Sequence, residues 1–286
     1  NLGRDHLDFH RDLEDYFQAK ASLFTAERAR RGLVNVDDEH GRRLLDQAAI
    51  PMRTFSTAGS VADWRAVDVE LTASGSRFTI VGPDGTAQRT GVALPGDFNV
   101  ANALAAVAAS VEAGFDAAAV AGGLAAAGGV PGRLERVEAG QDFTVVVDYS
   151  HKPDALAAAL ATLRPLTDGR VIVVLGAGGD RDPGKRPIMG EVVARAADVL
   201  IVTDDNPRTE VPTAIRAAVL AGTLGGRAEV VEIGDRRLAI RAAVHRAAPG
   251  DIVLIAGKGH ETGQEIDGTV HPFDDRVVAA EELANR

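Results

Sequence analysis

Four short stretches of the chain concentrate residues able to do chemistry. They are Asp148-Tyr149-Ser150-His151-Lys152-Pro153-Asp154, Gly176-Ala177-Gly178-Gly179-Asp180-Arg181-Asp182 followed by Gly184-Lys185-Arg186-Pro187, Asp204-Asp205-Asn206-Pro207-Arg208, and Gly257-Lys258-Gly259-His260-Glu261. Each follows a short apolar run. Together they offer guanidinium groups for carboxylates or phosphates, carboxylates and an amide for ammonium groups, and imidazoles for proton traffic. Taken singly, such residues also start turns and helices. Four clusters carrying both signs of charge point instead to a site for a polar ligand. The glycines of the second stretch do not complete a dinucleotide fingerprint, because Arg181 stands where its third glycine is required. No G-x-x-x-x-G-K-[ST] phosphate loop occurs in the 286 residues.

A further candidate lies near the start. Arg4-Asp5-His6-Leu7-Asp8 precedes a segment, Leu13 to Phe24, whose apolar residues fall at helical spacing. Lys20 lies on the stripe marked by Leu13, Phe17 and Phe24. A lysine buried there loses hydration of its charge, so its neutral amine becomes available. Such an amine can add carbon dioxide and become a carbamate, a carboxylate able to bind Mg²⁺. A lysine snorkelling out of a half-buried face accounts for the same spacing. Among 31 basic residues only Lys20, Lys152, Lys185 and Lys258 are lysine, and all four fall in these motifs. That economy favours positions needing a compact, titratable amine.

The elements that must hold these residues follow from periodicity. The spacing predicts helices over Leu13–Phe24 and Asp37–Ala49, and strands over Leu33–Val36 and Met52–Phe55. From Trp64 to Leu94 apolar and polar residues alternate around the turn Gly82-Pro83-Asp84-Gly85, which predicts an antiparallel meander. Ala-rich helices follow at Asn99–Ala113 and Ala117–Ala127. Gly128-Gly129-Val130-Pro131-Gly132 is dense in breakers and marks a domain boundary.

Beyond it, the pattern predicts strands at Phe143–Val147, Val171–Leu175, Val199–Val202, Glu229–Glu232 and Asp251–Ala256. Helices at Pro153–Leu163, Pro187–Ala197, Pro212–Ala221, Arg236–His245 and Asp274–Ala284 separate them. Continuous apolar strands between helices imply a parallel sheet covered on both faces, a doubly wound α/β domain. Ligands bind such sheets at the carboxyl ends of the strands, where all four clusters fall.

Composition limits the partners. The chain is 45% apolar and 25% charged, with net charge −10 and no cysteine. No basic face is available for nucleic acid. The longest apolar run, Ala103 to Val111, is too short to cross a membrane, and neither a signal peptide nor a disulfide is expected. These features fit a cytoplasmic protein. Opening at Asn1 without an initiator methionine, the chain reads as a fragment.

The motifs resemble those of the Mur ligases, the ATP-dependent amino-acid ligases of peptidoglycan synthesis. The resemblance runs through essentially the whole chain. It is carried by Asn1-Leu2-Gly3-Arg4-Asp5-His6-Leu7-Asp8, Tyr16-Phe17-Gln18-Ala19-Lys20, Asn99-Val100-Ala101-Asn102-Ala103 and Gly132-Arg133-Leu134-Glu135. The same match continues through Asp148–Asp154, Gly178–Asp182, Asp205–Arg208, Gly257–Glu261 and Phe273-Asp274-Asp275-Arg276. It implies an α/β fold: the latter part of the central ATPase domain over residues 1–130, then a Rossmann-like C-terminal domain over 131–286 that binds the amino acid.

The resemblance also implies roles. Lys20 resembles the family's carbamylated lysine and His6 its companion at Mg²⁺. Asn99, Asn102, Arg133, Asp148 and His151 match positions around ATP. Arg186, Asp205, Asn206, Pro207, Arg208, Gly257 and Glu261 match the pocket for the incoming amino acid. Arg186 and Arg208 would supply forks for carboxylate, with Asp205, Asn206 and Glu261 as acceptors for ammonium. Ser150 and Lys152 stand where the family has Ala and Thr, so no role is carried over to Lys152. The implied reaction adds meso-diaminopimelate to UDP-N-acetylmuramoyl-L-alanyl-D-glutamate through an acyl phosphate. The 286 residues alone, lacking a phosphate loop, are expected to be inactive. A lysine-adding relative would lack the arginine at 208, and a folate polyglutamylating ligase would lack Asp205-Asn206-Pro207-Arg208. A non-catalytic binding module is the remaining alternative.

Overall fold

In the computed structural model, which describes residues 2–3, 9–72 and 75–286, the chain divides between Gly129 and Val130 into two units. In the first, helix α1 (Leu13–Ala21) starts where Asp12 accepts a bond from Asp15 N at 2.8 Å. Strand β1 (Gly32–Asn35) and helix α2 (Glu39–Gln47) follow, then strands β2 (Met52–Ser56), β3 (Trp64–Thr72), β4 (Gly75–Val81) and β5 (Ala87–Val92). Helices α3 (Asp97–Glu112) and α4 (Ala117–Ala126) close the unit. Strand order is β1-β2-β3-β4-β5. The expected meander is β3 to β5, around a turn in which Gly85 N donates to Gly82 O at 3.0 Å. Periodicity did not reveal that β1 and β2 extend the same sheet in parallel. Phe55, Trp64, Phe78 and Ile80 on the strands pack with Val100, Leu104 and Val107 of α3.

The second unit alternates strand and helix. It runs β6 (Glu135–Arg136), β7 (Thr144–Asp148), α5 (Pro153–Leu163), β8 (Val171–Leu175), α6 (Lys185–Ala196), β9 (Val199–Val202) and α7 (Pro212–Ala221). Then come β10 (Glu229–Glu232), α8 (Arg236–Arg246), β11 (Ile252–Ala256), β12 (Gly263–Ile266), β13 (Thr269–Pro272) and α9 (Asp275–Ala284). The main sheet has the order β10-β9-β8-β11-β7-β6. Its strands are parallel except β6, an antiparallel edge too short to leave a periodic signal. Side chains alternate between faces. Val145, Val147, Ile172, Val174, Ile201, Val253 and Ile255 meet Ile240 and Val244 of α8 and Val278 of α9. The intervening Val146, Val173, Leu200 and Leu254 are equally buried, on the face that α5, α6 and α7 cover. The hairpin of β12 and β13, turning at Asp267-Gly268, was absent from the sequence reading.

Candidate functional site

The carboxyl ends of β7, β8, β9 and β11 bring the expected clusters to one rim. Gly179 N donates to Asn206 O at 2.8 Å, joining the loops after β8 and β9. Thr209 Oγ1 donates to Asp180 Oδ1 at 2.9 Å in the same seam. Gly257, at φ +117°, lies against Asp205: a β-carbon there would meet Asp205 Oδ2 at 2.5 Å. Side chain and glycine are therefore fitted to each other. Gln264 of β12 donates to Asp205 O at 2.7 Å, and Glu265 N donates to Asn206 Oδ1 at 3.0 Å. The unforeseen hairpin thus fastens the Asp205–Arg208 loop.

At the centre are Asn206, Lys258 and Glu261. Lys258 Nζ donates to Asn206 Oδ1 at 2.9 Å and to Glu261 Oε2 at 3.0 Å. Asn206 Nδ2 donates to that same Oε2 at 2.8 Å. Lys258 is wholly buried, while Glu261 is partly exposed. The sequence marks Lys258, one of four lysines in the chain, within the Gly257–Glu261 cluster, and its burial against Asn206 and Glu261 emerges only from the fold.

The two arginines differ. Arg208 holds φ +52°, in the left-handed region. Its Nη1 donates to Gly179 O at 2.7 Å, and its Nε pairs with Glu265 Oε2 at 3.2 Å. Among the described residues Nη2 has no partner and the side chain is partly exposed, so Arg208 offers one open nitrogen rather than the expected fork. Arg186 is buried in the first turn of α6, and its fork is already taken. Its Nη1 and Nη2 donate to the two oxygens of Glu210 at 2.9 and 2.7 Å, and Nη2 also reaches Gly178 O at 3.2 Å. The expectation that Arg186 offers a fork to substrate is therefore corrected: Glu210, a long-range partner that periodicity does not reveal, occupies it. That hydrogen bond holds the Glu210 carboxyl below the usual glutamate range, against the opposing effect of burial. Asn206 is likewise not an open acceptor, since its Oδ1 already receives two donors.

Beside this site lies a second cluster. Tyr149 N donates to Gly132 O at 2.8 Å, and Gly132, at φ +68°, abuts His260 so closely that a β-carbon would lie 2.1 Å from its N. The Arg133 guanidinium sits over the Tyr149 ring at 5.1 Å, with the His151 and His260 rings 4.6 and 5.3 Å from it. His151 Nδ1 lies 2.8 Å from Tyr149 O, so that nitrogen carries the proton in this contact. Cationic and aromatic faces of this kind suit a base and its phosphates. Asp148 is turned inward instead. Its Oδ2 accepts from Leu134 N at 2.8 Å and its Oδ1 from Ser150 Oγ, so it braces the Arg133 loop. Glu135 Oε2 accepts from Gly132 N at 2.6 Å and pairs with Arg276 at 3.5 Å, tying the same loop to α9.

In the first unit, Asn99 is buried and donates from Nδ2 to Pro95 O at 2.8 Å. Asn102, one turn on, is exposed and lies 3.5 Å from Asn99 Oδ1. Lys20 takes the exposed of the two positions that its spacing allows. Helix α1 ends at Ala21, so Phe24 leaves the stripe, and only Phe17 is buried on it. Lys20 is exposed, with Nζ 4.9 Å above the Tyr16 ring. Burial therefore does not strip water from its amine. His6 lies outside the described residues. Among the described residues no three His, Cys, Asp or Glu side chains are grouped to hold a metal, and no helix is long and apolar enough to cross a membrane.

Comparison with known proteins adds to this geometry. The family model for the Mur ligase middle domain matches residues 1–110, and that for the Mur ligase glutamate ligase domain matches 132–259. Proteins named UDP-N-acetylmuramoyl-L-alanyl-D-glutamate--2,6-diaminopimelate ligase are 54% identical in Streptomyces coelicolor and 52% in Streptomyces avermitilis. Each alignment covers 99% of this chain but 57% of the relative, so the chain spans little more than half their length. A solved structure of a ligase with the same name is 39% identical, with TM-score 0.60, covering 99% of this chain and 58% of the other.

Proposed function

The chain belongs to the Mur ligase family, and on that premise we propose that it works within an ATP-dependent amide ligase. The substrates proposed are meso-diaminopimelate and UDP-N-acetylmuramoyl-L-alanyl-D-glutamate, as in the names of its relatives. One observation carries this choice: Glu261 and Arg208, an acceptor and a guanidinium, are positioned through one loop and one hairpin at the strand ends. An amino acid with an ammonium and a carboxylate at its distal end needs that pair.

In the proposed reaction the D-glutamate side-chain carboxylate takes the terminal phosphoryl group of ATP. The amine of diaminopimelate then attacks the acyl phosphate, an amide forms, and phosphate leaves. What these residues do is orient and exclude. Arg208 is held at Nη1 and Nε, which leaves Nη2 for the distal carboxylate. Glu261 receives the ammonium. Gly257 keeps the loop close to Asp205, and buried Pro207 keeps its turn. Arg186 acts through Glu210 by fixing the loop after β8. In the second unit Arg133 and His151 are proposed to meet the nucleotide, with Asp148 bracing their loop; in the first unit Asn99 and Asn102 are the positions proposed for ATP. Mg²⁺ would offset phosphate charge when bound. The described residues do not by themselves form its site, and a Lys20 carbamate with His6 is the ligand set proposed. The family's cytoplasmic biosynthetic role is proposed with it.

The test is an assay of the intact protein containing this sequence. Release of phosphate from ATP that requires both the UDP-linked dipeptide and diaminopimelate, with a product of the added mass, is expected. Phosphate release indifferent to diaminopimelate would overturn the reading. The 286 residues alone, without a phosphate loop, are expected to release none.

A further inference from the structure

We propose that Lys258 is the positioning residue that makes Glu261 a receptor with a single open oxygen for the ammonium of the incoming amino acid. The inference rests on the amino-acid site proposed above. Lys258 has no solvent-exposed side-chain surface, so it cannot touch a substrate itself. Its Nζ and Asn206 Nδ2 both donate to Glu261 Oε2, at 3.0 and 2.8 Å. Among the described residues nothing bonds Oε1. Two donors on one oxygen fix the carboxylate plane and leave the other oxygen as the acceptor.

Asn206 cannot flip to relax this arrangement. Its Oδ1 accepts from Lys258 Nζ at 2.9 Å and from Glu265 N at 3.0 Å, so its Nδ2 must face Glu261. The backbone flanking the lysine is equally fixed. A β-carbon on Gly257 would strike Asp205, and one on Gly259 would lie 2.7 Å from Tyr149 Cβ. A compact ammonium suits this enclosed point, whereas a planar guanidinium would need room for a fork. In a chain that uses arginine for nearly every cation, the lysine here has a steric reason.

The experiment uses the intact enzyme and the variants Lys258→Met, Glu261→Gln and the double variant. Lys258→Met is expected to raise KM for diaminopimelate about ten- to hundredfold, the scale of a lost charge-assisted bond, while KM for ATP stays within about twofold. In the Glu261→Gln background the same change is expected to add less than about twofold, because it acts through the group already altered. An unchanged KM in Lys258→Met overturns the proposal. Removing the ammonium leaves Glu261 poorly compensated, which can prevent folding. In that event the double variant, neutral at both positions, decides: a KM equal to that of Glu261→Gln supports the proposal, and one several-fold higher overturns it. Wild type that transfers no diaminopimelate overturns the proposed function instead, a distinct result from working wild type with an indifferent Lys258→Met.

Discussion

Arg236 grips both oxygens of Asp275 with parallel bonds of 2.8 and 2.7 Å, and neither side chain is exposed to solvent. The same guanidinium donates to Ala256 O at 3.0 Å and Asp204 O at 3.3 Å, where β11 ends and the loop after β9 begins. The first residues of α8 and α9 are thereby fastened beneath the site. Burial opposes the arginine's charge, but the Asp275 carboxylate outweighs it and raises Arg236 above its ordinary range. Asp275→Asn should cost about 3–5 kcal/mol, because it leaves a buried cation undercompensated. Arg236→Met with Asp275→Leu should cost much less. Denaturant unfolding measures both, and a loss below about 1 kcal/mol in the single variant would contradict this account.

Arg208 should set the choice of amino acid. Lysine has no distal carboxylate, so on the proposed function its binding would leave the open nitrogen of the guanidinium unpaired. Discrimination built on such a group can reach about 10⁴-fold. Arg208→Ala should remove most of the preference for diaminopimelate over lysine, and Arg208→Lys should not restore it, since one ammonium cannot hold Gly179 O and Glu265 and still present a separate donor to the carboxylate. Glu265→Gln, which loosens only the Nε contact, should lower the preference by roughly tenfold or less. Competition kinetics with both amino acids gives the ratio. An Arg208→Ala enzyme with the wild-type ratio would refute the assignment.

Lys20 is expected to carry a carbamate in the intact enzyme. Its exposed ammonium must first give up a proton to water; the neutral amine then adds dissolved carbon dioxide with loss of a second proton. Labelled bicarbonate should give a carbamate carbon signal by NMR that Lys20→Ala lacks. Activity lost in that variant should return in part with a small added carboxylic acid. Absence of the signal in active wild type would argue against the modification.

Glu210 gives a pH dependence with a definite sign. Its folded-state value lies below the ordinary 4.5, through the Arg186 hydrogen bond. The stability it contributes is present above 4.5 and is lost as pH falls through the lowered folded value. Glu210→Gln should therefore flatten part of the acid limb of wild-type stability and leave the limb above neutrality unchanged. Identical acid limbs in the two proteins would show that the pair contributes nothing to stability.

Much of the second unit was legible because its strands are continuous apolar runs and its breakers are dense. The sequence reading places β7, β8, β9, β10 and β11 within a residue of where they lie. The β12–β13 hairpin was missed although Asp267-Gly268 between alternating segments is a recognised hairpin signal. Gly263 and Pro272, residues that disfavour strands, open β12 and close β13 and leave each only a short alternating run. The spacing of Lys20 left a buried and an exposed position both open, because periodicity does not say where a helix stops, and α1 stops three residues before Phe24. The residues of the candidate site were visible in the sequence as types, but their pairings were not. Arg186 with Glu210, and Lys258 with Asn206, join positions distant in sequence, and only the sheet order brings them together.

That order has a consequence for how the chain is made. β11 is the last strand of the main sheet to be synthesised, yet it lies between β7 and β8. Its pairing of Ile252 with Thr144 closes a loop of about a hundred residues. Until a ribosome has released Ala256, β7 and β8 each present an open, Val-rich edge with no partner between them. The domain must therefore finish folding late, after a large entropic closure, and the nascent chain is exposed to strand-edge association throughout that interval.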